Sequence, residues 1–206
     1  MKTRTDLLNH LASKYQLKRY LEIGVQNPAQ NFDKIQCEEK VSVDPDPKAN
    51  ATFRCTSDYF FTSTEVKNKM MKNNEPMFDL IFIDGLHTAE QVKKDFENAL
   101  KILSPNGFIV LHDCNPLKEE HTIVPRPTPT GHWNGDVWKL AAAMYGYDNL
   151  NRATVDIDNG CMVFRNDDDW TTCNWGISQM HWAEFDRNRA KYLNLISWDE
   201  FVNKHG

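Results

Sequence analysis

Four side chains able to bind a metal or move a proton stand in two short bursts, each directly behind an apolar run. Asp84 and His87 follow Leu80 to Ile83, and His112 and Asp113 follow Phe108 to Leu111. Carboxylates and imidazoles hold divalent cations, and an imidazole also exchanges protons near neutral pH. If the two bursts converge, they form a metal site, an acid–base pair, or both.

A strand–helix–strand unit must bring them together. Both apolar runs are short and unbroken, as in parallel strands covered on both faces. Between them Thr88 and Gln91 form a capping box, and Val92, Phe96, Leu100 and Leu103 recur at helical spacing. Pro105, Asn106 and Gly107 then stop the helix and turn the chain. A right-handed crossover lays both strands in one parallel sheet, and open α/β sheets bind ligands at the carboxyl edge.

Upstream, Thr5 or Asp6 caps a first helix carrying Leu7, Leu8, Leu11 and Tyr15, and a strand within Leu17 to Val25 ends in Glu22-Ile23-Gly24-Val25. The turn that follows, Gln26 to Phe32, adds no glycine. The three-glycine dinucleotide fingerprint is therefore not met, which argues against a pyrophosphate cradle. Asn27 and Pro28 can build the turn by other means. A second strand, Val41 to Val43, ends at Asp44, 20 residues after Gly24. At that separation a carboxylate can accept from two ribose hydroxyls. A short third strand around Thr52 to Cys55 leads to Ser57 and Asp58, which either read a purine edge or cap a helix.

Downstream, 117–133 carries Pro125, Pro127 and Pro129 and no periodic pattern, and it lies directly behind the polar cluster. Such a segment is a lid or a substrate loop, with His132 and Trp133 facing an acceptor, or else it is disordered. Asn134-Gly135-Asp136 opens a helix with Val137, Trp138, Leu140, Ala141 and Met144. Thr154 to Ile157 and Cys161 to Phe164 flank Asp158-Asn159-Gly160, a strong hairpin signal. The extension 170–206, with Trp170, Trp175, Trp182, Phe185, Tyr192 and Trp198, is rich in aromatic residues that pack or form a homodimer surface.

A chain of 206 residues suits one well-buried core, so a single domain over 1–206 is expected. Lys plus Arg is 24 against 29 for Asp plus Glu, a net charge of −5 with no basic block, which argues against nucleic acid as a partner. No apolar run of about 18 residues and no apolar centre near Met1 is present, so a soluble cytoplasmic protein without a membrane partner is expected. The cysteines, Cys37, Cys55, Cys114, Cys161 and Cys173, are odd in number and lack Cys-x-x-Cys spacing. Neither a disulfide framework nor a zinc knuckle follows, and they read as core residues, with Cys114 inside the polar cluster.

Taken together, Tyr20-Leu21-Glu22-Ile23-Gly24-Val25, Ser42-Val43-Asp44-Pro45, Thr56-Ser57-Asp58 and the two bursts with their strands make the chain resemble the class I S-adenosylmethionine-dependent methyltransferases. The resemblance spans roughly Leu17 to Phe164. It implies an α/β, Rossmann-like fold: a mostly parallel seven-stranded sheet ending in an antiparallel hairpin, with helices on both faces. It implies S-adenosylmethionine as cofactor, with Glu22, Gly24, Gln26, Asp44, Ser57, Asp58 and Asp84 as its contacts. The spacing of Asp84, His87 and Asp113 is similar to the metal-dependent O-methyltransferases of sugar and macrolide tailoring, and more distantly to the catechol type. That likeness implies magnesium on Asp84 and Asp113, His87 as base, and a small-molecule or glycan hydroxyl as acceptor. His112 stands where the sugar enzymes tend to have Glu; as a third ligand it would favour manganese, iron or zinc. Two other classes stay open: a non-heme iron enzyme built on the same rim, and a non-catalytic S-adenosylmethionine-binding module.

Overall fold

A computed structural model describes residues 1–70, 78–147, 151–167 and 176–205. Trp170, Cys173 and Trp175 lie outside the described residues. The chain opens with helix α1 (Arg4–Tyr15). Its N-cap is Thr3 rather than Thr5 or Asp6, and the Asp6 carboxylate accepts from the Thr3 N–H at 2.9 Å. Strand β1 (Arg19–Ile23) and strand β2 (Glu39–Val43) follow, then helices α2 (Ser57–Thr62) and α3 (Thr64–Met70).

The central unit is β3 (Phe78–Ile83), α4 (Ala89–Leu100) and β4 (Leu103–Leu111). Thr88 caps α4, but the capping box is only half made, because the Gln91 side chain turns away toward Ser57, Asp58 and Asp95. Leu103 opens β4 instead of closing α4, and Ser104 to Gly107 form an irregular stretch inside that strand. Asn106, at φ 61°, makes the bend without breaking the strand. Helix α5 (Trp138–Ala143) leads to β5 (Arg152–Val155) and β6 (Cys161–Arg165), and the chain closes with α6 (Trp182–Leu193), β7 (Leu195–Ile196) and α7 (Trp198–Lys204).

The sheet runs β2-β1-β3-β4-β6-β5-β7. Strands β2, β1, β3 and β4 are parallel, and β6 runs antiparallel to both β4 and β5. The expected strand near Thr52 to Cys55 is reduced to one bridge between Val43 and Phe53, so the seventh strand is β7, parallel to β5 beyond the hairpin. Side chains alternate between two apolar layers. Ile81, Ile83, Ile109 and Leu111 face α4 through Val92 and Phe96, whereas Leu80, Phe82, Phe108 and Val110 face α1 through Leu7, Leu8 and Leu11. Each such fully buried side chain contributes about 1.5–3 kcal/mol relative to exposure. The C-terminal segment joins this core: the Phe185 ring lies 4.2 Å from that of Trp138, and Phe201 is fully buried. No described helix is long and apolar enough to cross a membrane.

Candidate active site

Register places the rim. Ile23 pairs with Val43 and Ile83, and Ile83 pairs with Leu111, so Gly24, Asp44, Asp84 and His112 leave the sheet side by side at its carboxyl edge. Because β6 runs back along β4, the turn between β5 and β6 comes to the same edge and delivers Asp158.

Asp84 is the hub. Its Oδ1 lies 3.1 Å from His112 Nδ1 and 3.3 Å from His87 Nε2, and its Oδ2 lies 3.9 Å from Arg4 Nε. Asp113, at φ 60°, adopts a left-handed backbone that a short polar residue tolerates. From there its Oδ2 reaches His87 Nδ1 at 3.1 Å and His112 Nδ1 at 3.4 Å. Two imidazoles are thus bracketed by two carboxylates. Burial by itself would raise the Asp84 carboxyl, but His112 and then His87 hold it well below the usual carboxylate range. Burial opposes the charged forms of both imidazoles, and the same two acids outweigh it, raising His87 and carrying His112 well above the ordinary histidine value. His112 Nε2 faces Arg4 Nη1 at 3.3 Å and Asp158 Oδ1 at 3.6 Å. An imidazolium satisfies both acids it faces, so the Arg4 contact is a close approach rather than a hydrogen bond.

Asp84, His87 and Asp113 each offer a ligand atom within 4.8 Å of the others, two oxygens and one nitrogen suited to a divalent cation. Sequence pointed to His112 as the third ligand. Its Nδ1 lies 3.1 Å from Asp84 Oδ1 and 3.4 Å from Asp113 Oδ2, and His87 brings a second imidazole to the same two carboxylates. Cys114 takes no part: its buried thiol is turned to the Leu111 and His112 carbonyls, and burial pushes it up.

At the first turn, Gly24 has φ 85°, and a Cβ there would lie 2.1 Å from the Asp84 carbonyl oxygen, so the two loops touch. Asp44 shapes this turn: its Oδ2 accepts the N–H groups of Val25 and Gln26, each at 2.9 Å. Asn27 and Pro28 continue it as expected, the Asn27 side chain accepting from Ala29 N. Glu22 is buried beneath, where its Oε2 accepts from the Tyr20 hydroxyl at 2.6 Å and from Asn31 Nδ2 at 2.9 Å. Burial pushes this carboxyl up to about 7.

Thr56, not Ser57 or Asp58, caps α2, which leaves the latter two facing the cleft. Gln91 Nε2 ties them together, at 3.2 Å from Ser57 Oγ, 3.0 Å from Asp58 Oδ1 and 3.1 Å from Asp95 Oδ1. Asp95 is buried, one of its oxygens has no hydrogen-bond partner among the described residues, and burial pushes its carboxyl up to about 6.

The segment 117–133 folds over the rim. The Trp133 ring stacks on His87 at 5.3 Å and 14°, and its Nε1 donates to the Ile123 carbonyl. His132 Nε2 lies 3.0 Å from Asn134 Oδ1, and Asn134 Nδ2 donates to Asp113 Oδ1 at 2.6 Å. Gly135, at φ 63°, sits so close that a Cβ would fall 1.8 Å from the His87 carbonyl oxygen.

One cleft of about 750 Å³ is lined by all these groups: Glu22, Gly24, Gln26, Asp44, Ser57, Asp58, Asp84, His87, His112, Asp113, His132 and Trp133. Arg4, Gln91, Asn134 and Asp158 belong to the same network and were missed from sequence. The hairpin signal with β6 reversed beside β4 could have placed Asp158 at this edge; nothing local marks Arg4.

The methyltransferase-domain family model matches residues 23–114, from the end of β1 to just behind β4. Among solved structures, the S-adenosylhomocysteine-bound methyltransferase PaMTH1 of Podospora anserina matches with a TM-score of 0.53 at 21% identity, over 82% of this chain and 80% of that one. A Staphylococcus aureus protein described as a caffeoyl-CoA O-methyltransferase gives 0.52 at 16% identity, over 81% and 85%. The O-methyltransferase TomG of Streptomyces achromogenes, in complex with S-adenosylmethionine, gives 0.50 at 15% identity, over 78% of each chain. Identities this low establish the fold. No curated sequence matches. Residues 23–114 thus carry a methyltransferase-domain match, and the chain has the Rossmann-like fold of these class I methyltransferase structures.

Proposed function

We propose that the chain is an O-methyltransferase that moves the sulfonium methyl of S-adenosylmethionine to a hydroxyl of a small molecule or sugar, metal-assisted and with His87 as general base. The observation that carries the reading is that Asp84, His87 and Asp113 lie within 4.8 Å of one another, in the same cleft as Asp44, Ser57 and Asp58. On this reading Asp44 holds the ribose, Ser57 and Asp58 the purine edge, and Glu22, Gly24 and Gln26 border the amino-acid end. The enzyme works in the cytoplasm on a small acceptor, without nucleic acid or membrane.

Methyl transfer is an in-line displacement in which opposite charges cancel, so alignment and exclusion of water carry the rate. Trp133 serves both, stacking on His87 and closing the acceptor side together with His132. A divalent cation on Asp84 and Asp113, with His112 as the further ligand so that His87 stays free as base, would lower the pKa of the bound hydroxyl; oxygen ligands favour magnesium, and added imidazole favours manganese or iron. His87 must be neutral to accept the hydroxyl proton. Burial opposes its charge and Asp84 and Asp113 outweigh burial, so His87 would return toward the ordinary value and to use as a base were those carboxylates to hold a cation.

Calorimetry tests the cofactor and turnover tests the metal. S-adenosylmethionine should bind, Asp44→Asn should weaken it, and transfer to a hydroxyl acceptor should be abolished by a chelator and restored by magnesium. Turnover indifferent to both chelator and Asp113→Asn would remove the metal from the account. Absence of S-adenosylmethionine binding would remove the function itself.

A further inference from the structure

The amino-acid end of the cofactor meets an unusual first turn. A ligand carboxylate at such a turn is commonly held by free backbone N–H groups and a helix N-terminus. Here the N–H groups of Val25 and Gln26 already donate to Asp44, and that of Asn27 donates to the Val25 carbonyl. Two three-residue helical turns, Pro28–Gln30 and Phe32–Lys34, follow in place of an α-helix. The side chains of Glu22, Asp44 and Asp84 around this turn are all acidic. A carboxylate therefore needs a cation from elsewhere, and the guanidinium that lines this end of the cleft is Arg4.

We propose that Arg4 clamps the carboxylate of the cofactor's amino-acid end, supplying from α1 the donors that the first turn lacks; the inference rests on the methyltransferase reading above. Arg4 is held in place from two directions. Its backbone N–H donates to Asp158 Oδ2 at 3.0 Å, and its Nη1 lies 3.3 Å from the same oxygen. Next to it, the Thr5 hydroxyl donates to Asn31 Oδ1 at 2.7 Å, and Asn31 donates in turn to Glu22, so the start of α1 is joined to the first turn. Arg4 lies close enough to Glu22 for its charge to lower that carboxyl against the effect of burial.

The guanidinium is anchored but not saturated. Nη1 takes Asp158 and approaches His112, and Nε stands 3.9 Å from Asp84, beyond hydrogen-bond reach. Among the described residues no hydrogen bond uses Nη2. The edge formed by Nε and Nη2, with three of the five N–H donors, thus remains for a ligand, a planar fork that matches a carboxylate. The Arg4 side chain is only 22% exposed, so a pair formed there is partly shielded from water.

Calorimetry with three ligands isolates the carboxylate: S-adenosylmethionine, decarboxylated S-adenosylmethionine, which keeps the ammonium, and 5′-methylthioadenosine, which lacks the whole amino-acid end. Arg4→Gln should weaken S-adenosylmethionine about ten- to a hundredfold and change the other two less than about threefold. Arg4→Lys, which keeps the charge without the fork, should fall between. Retained methylthioadenosine binding reports an intact fold. Equal weakening of all three ligands by both variants, or no weakening of S-adenosylmethionine by Arg4→Gln, overturns the inference while leaving the transferase reading in place. Failure of the wild-type protein to bind any of the three overturns both.

Discussion

Glu22 and Asp84 are carboxylates on neighbouring strands, both drawn out of water at the same sheet edge, and they are driven in opposite directions. Glu22 accepts from two neutral donors, Tyr20 and Asn31, and burial, with the Asp84 charge added, outweighs them and the more distant Arg4, so its carboxyl rises to about 7. Asp84 is surrounded by His87, His112 and Arg4, and its carboxyl is held well down. Depth alone therefore does not decide charge at this rim; the charge of the neighbours does. One arrangement keeps a site neutral and able to take a proton, and the other keeps a fixed anion among cations.

The severest way to break the contrast is Asp84→Asn. It leaves Arg4, His87 and His112 facing one another without their central anion, and should cost about 3–5 kcal/mol in urea unfolding at pH 7. Methyl transfer should fall at least about a thousandfold in the same variant. A wild-type unfolding midpoint would show that the hub is not electrostatic.

Glu22→Gln tests the other arm. Since the folded carboxyl is raised, its stabilising protonation is fully present below the unfolded value of about 4.3 and is lost as pH rises through about 7. Asp84 has the reverse sign: its contribution is present above the unfolded value of about 3.9 and is lost as pH falls toward the depressed folded value. Between pH 5 and 8 the wild-type protein should therefore lose about 2–3 kcal/mol that the Glu22→Gln variant keeps. Parallel stability curves for the two proteins would place Glu22 in a more polar setting than its partners indicate.

His87 sharpens the comparison further. Its imidazole should titrate above the ordinary histidine value by NMR in the metal-free protein, and Asp113→Asn should lower the midpoint, since one of the two raising carboxylates is gone. The smallest effect is expected from Gln91→Leu. Severing the link from Asp95 to Ser57 and Asp58 should weaken S-adenosylmethionine about three- to tenfold in calorimetry, without changing the unfolding midpoint by more than about 1 kcal/mol.

Legibility from sequence followed contact range. The unbroken apolar runs Leu80 to Ile83 and Phe108 to Leu111 announced buried parallel strands, and the polar residues behind them had to emerge at one edge once register was set. Asp158-Asn159-Gly160 announced the hairpin, and all three residues have positive φ. Leu103 misled because a single leucine at helical spacing fits the first residue of a strand equally well. The strand near Thr52 failed because only Phe53 pairs with Val43. Arg4 and Asn134 were silent since their partners lie 154, 108 and 21 positions away, a separation that no local pattern encodes.

Asp158 receives the backbone of Arg4 across that longest separation. The pocket is thus closed by a bond joining the first helix to the last antiparallel pair. A nascent polypeptide that has emerged only to Asp113 holds four aligned parallel strands and both polar bursts, yet its guanidinium has Asp84 at 3.9 Å and lacks the Asp158 anchor. Competence arrives as a late event, with the ordering of the β5–β6 turn, and contacts so far apart along the chain are the slow ones to form.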